Sequence, residues 1–143
     1  MMKKYISVLL LLCIICAFAA GCGGASAKTV DLTVLSSTLL SAELTNMTTN
    51  PGKYMGKTIK VRGPYAYSYW DETDTYYHCV VAYEDVAACC SQALEFIWTG
   101  EHSFPGDYPE EGTMIELTGV FGSYQELGKT YYCLRVDKIT VLQ

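Results

Sequence analysis

Residues 58–62 read Thr58-Ile59-Lys60-Val61-Arg62, polar and apolar by turns. A period of two marks a strand with one face in a core and the other in water. The signal returns, enriched in β-branched and aromatic residues, in "YYHCVVAY", "QALEFIW", "TMIELTGVFGSY" and "TYYCLRVDKITVL". The pattern therefore predicts five strands. Alternation places Ile59 and Val61, then Val80, then Ile115, Leu117 and Phe121, then Leu134 and Val136 in one core, with Tyr132 on the face of the last pair. Gly63-Pro64 is expected to break or bulge the first strand and so bend it for a closed barrel. "DETD" over residues 71–74 is a solvated turn, "QELGK" with Gly128 is a hairpin turn, and "TGEHSFPGDYPEEG" is a long loop.

Before the strands the period changes. Over residues 34–47, "VLSSTLLSAELTNM", Leu35, Leu39, Leu40, Leu44 and Met47 recur at helical spacing. Ser36 or Ser37 supplies a cap, and Asn50-Pro51-Gly52 ends the helix and turns the chain. One amphipathic helix packed on the domain is expected, plugging an end of the barrel.

The first 21 residues carry a different pattern: Lys3 and Lys4, then the apolar run "ISVLLLLCIICAFAA", then small residues. That order describes a secretory signal peptide. The apolar run, residues 6–20, is short beside the roughly 20 residues that a membrane-crossing helix needs. Its exit, Ala19-Ala20-Gly21-Cys22, resembles the bacterial lipobox, with Ala19 where leucine is preferred. The resemblance implies that Cys22 is lipidated and becomes the first mature residue. The alternative is an ordinary signal peptide cut after Ala20 or Ala27. The expected organisation is a signal over residues 1–21, a lipidated flexible tether over 22–33, and one β domain over 34–143, anchored on the extracytoplasmic side of the cell membrane.

Charge narrows the partners. Removal of the signal leaves 122 residues with eight basic and 15 acidic side chains, a net charge of −7. Such a surface repels phosphate backbones, so nucleic acid is not an expected partner. It also repels anionic lipid, which leaves membrane attachment to the anchor.

"NPGKYMGKTIKVRG" followed by "IELTGVFGSY" resembles bacterial OB-fold lipoproteins of the tRNA-anti-like type, in which a helix ends in an Asn-Pro-x-x-Tyr-x-Gly-Lys element that feeds the first strand. The resemblance covers roughly residues 35–142. It implies a five-stranded Greek-key barrel, and it does not imply tRNA binding.

Candidate chemistry lies in two stretches. Tyr65, Tyr67, Tyr69 and Trp70 cluster where a barrel of this kind offers a binding face; the competing reading is that alternate tyrosines pack the barrel and expose their hydroxyls. "HCVVAYEDVAACC" brings together His78, Cys79, Cys89 and Cys90, and Cys133 is the remaining cysteine of the domain. Three readings stay open. The thiols fill a tight barrel end; or two of them form a disulfide; or Cys89 and Cys90, with His78, hold a soft metal, for which thiolate ligands favour zinc or copper(I). Strand neighbours point to opposite faces, so His78 joins such a site only if the following segment folds back. The long loop reads either as a partner-contacting loop or as a solvated connector stiffened by Pro105 and Pro109. No Ser-His-Asp order, phosphate loop or paired-carboxylate motif stands out, so an enzyme is not expected. The sequence therefore points to a lipid-anchored binding or assembly module for a protein or small ligand. A metal- or thiol-handling accessory protein is the alternative.

Overall fold

The computed structural model describes residues 29–84 and 91–143. It holds β1 (Val30–Asp31), α1 (Ser37–Thr49), β2 (Thr58–Trp70), β3 (Thr75–Glu84), β4 (Ser91–Trp98), β5 (Met114–Glu126) and β6 (Lys129–Val141). The five long strands are those the alternation predicts. β1 is an addition of two residues, too short to leave a periodic signal. It runs parallel to β2 at Ile59 and Lys60.

The sheet order β1-β2-β3-β4-β6-β5 closes on itself through a β2–β5 pairing, so the five long strands make a barrel. All neighbours among them are antiparallel except β4 and β6, which pair in parallel from Phe96↔Leu134 to Trp98↔Val136. β2 makes the closure by serving two partners in succession. Residues 58–64 pair with β5, and residues 65–70 pair with β3. Gly63-Pro64 sits where the partners change, without interrupting the strand. Val81 of β3 passes so near Gly63 that a Cβ there would collide with the Val81 carbonyl oxygen. Hydrogen removes the obstacle, and the strand bends through the gap.

The core is the inner face of this barrel. Ile59, Val61, Val80, Ile115, Leu117, Phe121, Leu134 and Val136 are all buried, as their alternation requires. α1 covers one end with Leu44 and Met47, joined by Leu32 and Tyr54. The helix begins at Ser37 with Ser36 as its N-cap, as the cap signal indicates, after a separate 3-10 turn over Leu32–Val34 in which Asp31 accepts hydrogen bonds from the Thr33 amide and hydroxyl. One expectation for this segment changes. Leu39 is 59% exposed rather than on the buried stripe. The packed stripe is Leu40, Leu44 and Met47, and Leu39 sits about 100° round the axis from Leu40.

Past Phe121, which bonds by backbone to Gly56 and Lys57, β5 and β6 extend beyond the closed part as a hairpin. Its two-residue turn, Leu127 and Gly128, has φ of 47° and 76°. Left-handed values at both positions match the right-handed twist of the strands, and Gly128 takes its value without steric cost. Among the described residues no helix is long and apolar enough to cross a membrane.

Candidate functional site

Strand alternation divides the predicted aromatic cluster between two places. Tyr65, Tyr67 and Tyr69 continue the inner face of β2, and Trp70 lies on the opposite face. Tyr65 is fully buried. Its hydroxyl lies 2.7 Å from His78 Nδ1, across the β2–β3 pairing. The loop between β4 and β5 then folds over this end of the barrel. Tyr108 stacks on His78 with ring centroids 4.0 Å apart, and Phe104 packs edge-on against Tyr67 at 4.9 Å. The loop is thus a lid with two aromatic anchors, and its remaining residues are mostly exposed. Sequence reasoning treated Phe104 and Tyr108 as loop residues. Their signal was composition, two aromatics among turn formers, and periodicity could not reveal it.

Burial governs the chemistry of that end. It pushes the Tyr65 hydroxyl well above the ordinary tyrosine range. It also pulls His78 down from its ordinary 6.5 to about 4, so the imidazole is neutral at pH 7 and shares one hydrogen bond between Nδ1 and the Tyr65 hydroxyl. A neutral histidine locked between aromatic rings serves packing first.

The opposite face carries the more open feature. A cleft of about 360 Å³ lies between the tips of the β2–β3 and β5–β6 hairpins, lined by Ser68, Trp70, Tyr77, Glu95, Tyr124 and Tyr131, with Tyr69 on its rim. The barrel brings these residues together from all five long strands, and they lie as far apart as positions 68 and 131. Trp70 sits 6.1 Å from Tyr77 and 6.4 Å from Tyr131, while Tyr131 stacks on Tyr124 at 5.5 Å. Two carboxylates bind the walls together. Tyr124 donates to Glu95 Oε1 at 2.8 Å, and Tyr77 donates to Glu126 Oε2 at 2.7 Å. Desolvation raises the pKa of Glu95, and the Glu126 charge raises it further against the lowering bond from Tyr124. Both tyrosine hydroxyls are pushed up by desolvation and by these same two carboxylates. Sequence reasoning placed only Tyr69 and Trp70 of this set; the other residues share no local pattern.

Among the described residues the one ion pair joins Lys60 to Glu116 at 3.1 Å, at the β2–β5 seam. Arg135 donates to the Ser123 carbonyl at 3.2 Å. Glu95 in the cleft, and Glu126 beside it on the Tyr77 hydroxyl, therefore have no basic partner among the described residues.

Of the cysteine stretch, His78 and Cys79 are described, whereas Cys89 and Cys90 lie outside the described residues, as does Cys22. Cys79 and Cys133 are free thiols, both raised above the ordinary thiol pKa by burial. Cys79 pairs with Glu95 across β3–β4, and Cys133 lies one residue before the Phe96↔Leu134 pair, so β4 separates the two thiols. Among the described residues no three metal-ligating side chains gather into a metal site.

Compared with family models, with curated proteins and with solved structures, the chain matches none of them.

Proposed function

We propose that this protein is a membrane-anchored surface lipoprotein, attached through Cys22, whose OB-fold barrel is a binding module with the cleft as its ligand surface. Three features support the reading. The closed order β2-β3-β4-β6-β5, with its single parallel pair, agrees with the Greek-key barrel that the sequence resemblance implies. The lipobox-like "AAGC" follows the apolar run of the first 20 residues. The observation that carries most weight is the cleft itself. Small barrels of this class bind ligands on the open strand face between two hairpin loops, and here that position holds partly exposed aromatic walls. Large amphipathic rings give contact area at low entropic cost, which suits recognition.

Two experiments test the reading. In cells fed an alkyne fatty acid, the wild-type chain is labelled and fractionates with membranes, whereas Cys22→Ser is unlabelled and released. Equal labelling of the two removes the anchor. Fragment screening of the full chain in non-ionic detergent by ligand-observed NMR yields hits whose signals vanish in Trp70→Ala and Tyr131→Ala. Hits indifferent to both substitutions remove the cleft.

A further inference from the structure

We infer that the cleft recognises an alkylammonium group, held by the aromatic faces of Trp70 and Tyr131 and by the carboxylate of Glu95, with the Glu126 carboxylate beside the cleft on the Tyr77 hydroxyl. This rests on the cleft being the ligand surface and goes on to name what enters it.

Each carboxylate spends one oxygen on a tyrosine hydroxyl, Glu95 Oε1 on Tyr124 and Glu126 Oε2 on Tyr77. The second oxygen of each takes no hydrogen bond from the described residues. An ammonium group has donors and no acceptor, which complements a pair of carboxylate oxygens. The tyrosines add to the selection. Their hydroxyls point into the carboxylates and orient them, and their raised pKa values keep the phenols neutral and donating.

The walls supply the second component. Aromatic faces attract cations through the ring quadrupole, tryptophan most strongly. Trp70 and Tyr131 meet at 72°, so they present differently oriented surfaces at the mouth of the cleft. An anion meets the like charge of Glu95 here, with Glu126 beside it. A neutral sugar could stack on the rings, but it would leave the carboxylates without a counter-charge. The net charge of −7 after signal removal adds a long-range field of the same sign and draws cations toward the surface.

The probe is n-butylammonium chloride, titrated calorimetrically into the full chain in non-ionic detergent. The comparison ligands are 1-butanol, butyrate and the neutral trisaccharide maltotriose. Saturable binding of butylammonium on the order of millimolar is expected, with no heat from butanol or butyrate. Glu95→Gln preserves the shape and hydrogen bonding of the side chain while removing its charge, and it weakens binding about tenfold or more. Trp70→Ala has a similar effect. Far-UV circular dichroism and thermal midpoints confirm that both variants are folded, and Glu126→Gln provides an independent variant should Glu95→Gln fail to fold. Butylammonium binding that ignores all three substitutions overturns the inference. Binding of maltotriose that depends on Trp70, without binding of butylammonium, overturns the ammonium assignment and leaves the cleft as the ligand surface. Binding of neither overturns the ammonium assignment, while the cleft is judged separately by the fragment screen.

Discussion

His78 shows how a residue picked out for its chemistry can be held for its shape. Its ring lies 4.0 Å from Tyr108 and its Nδ1 2.7 Å from the Tyr65 hydroxyl, and burial lowers its pKa to about 4. In the unfolded chain it titrates near the ordinary 6.5. Between those values the unfolded state binds a proton that the folded state refuses. The contribution of His78 to stability is thus full above about pH 6.5 and is lost as the pH falls to about 4. Chemical denaturation across that window should show stability falling with pH, and His78→Gln, which cannot titrate, should flatten that part of the slope. An identical slope in the variant would mean that the ring is solvated and that its stacking on Tyr108 is not kept in solution. Glu95 presents the opposite case. Its pKa is raised by burial, yet its carboxylate lines a cleft rather than a packed core.

At the scale of elements, two segments carry the architecture. The Asn50–Lys57 stretch joins the helix to the barrel. Tyr54 is buried at its centre, its hydroxyl donates to Glu43 at 2.8 Å and accepts from Asn46 at 2.6 Å, and Gly56 donates its amide to the Phe121 carbonyl at 2.9 Å. This motif, which carries the sequence resemblance, has a physical role: it ties α1, the barrel end and β5 together. The second segment is the bend of β2. Gly63 lets the strand leave β5 and join β3 while Val81 crosses above it. Gly63→Ala must displace the backbone of Val81 or straighten β2, and overpacking of this kind costs about 1–3 kcal/mol or more. A lower urea midpoint is the expected result. An unchanged midpoint would show that β2 and β3 have slack at this crossing. Because β2 presents Trp70 beyond the bend, the same variant should also disturb the cleft.

The whole molecule is held by one barrel core, and Leu117 stands near its middle, fully buried and paired with Val61 on β2 and Ile139 on β6. Leu117→Ala should cost about 2–5 kcal/mol, the range for deleting a buried leucine side chain. A loss under about half a kcal/mol in equilibrium unfolding would contradict a close-packed core at this position. Barrel closure also explains where the cleft lies. Past residue 64, β2 pairs with β3 alone and carries Ser68 and Trp70 to one wall of the cleft, while the β5–β6 hairpin brings Tyr124 and Tyr131 to the other. The lid loop, with Phe104 and Tyr108, covers the inner face of the β2–β3 hairpin, and the cleft lies on the opposite face.

Local pattern was enough to read the five long strands, the helix and the inward-facing residues, because burial of one face imposes a period that needs no knowledge of the partner strand. The turn at Gly128 and the stop at Asn50-Pro51-Gly52 were legible for the same reason, since backbone geometry there depends on the residues themselves. Three features were not legible. The helix turned Leu39 outward because docking on the barrel selects the stripe Leu40, Leu44 and Met47, a choice among apolar positions that the helix alone does not make. The tyrosine run divided between core and cleft because alternation, read along β2 alone, does not say which side the lid will cover. The cleft itself joins Trp70, Tyr77, Glu95, Tyr124 and Tyr131 across separations that carry no shared period. Those residues meet only because β2 changes partners and closes the sheet, and that choice belongs to the tertiary structure.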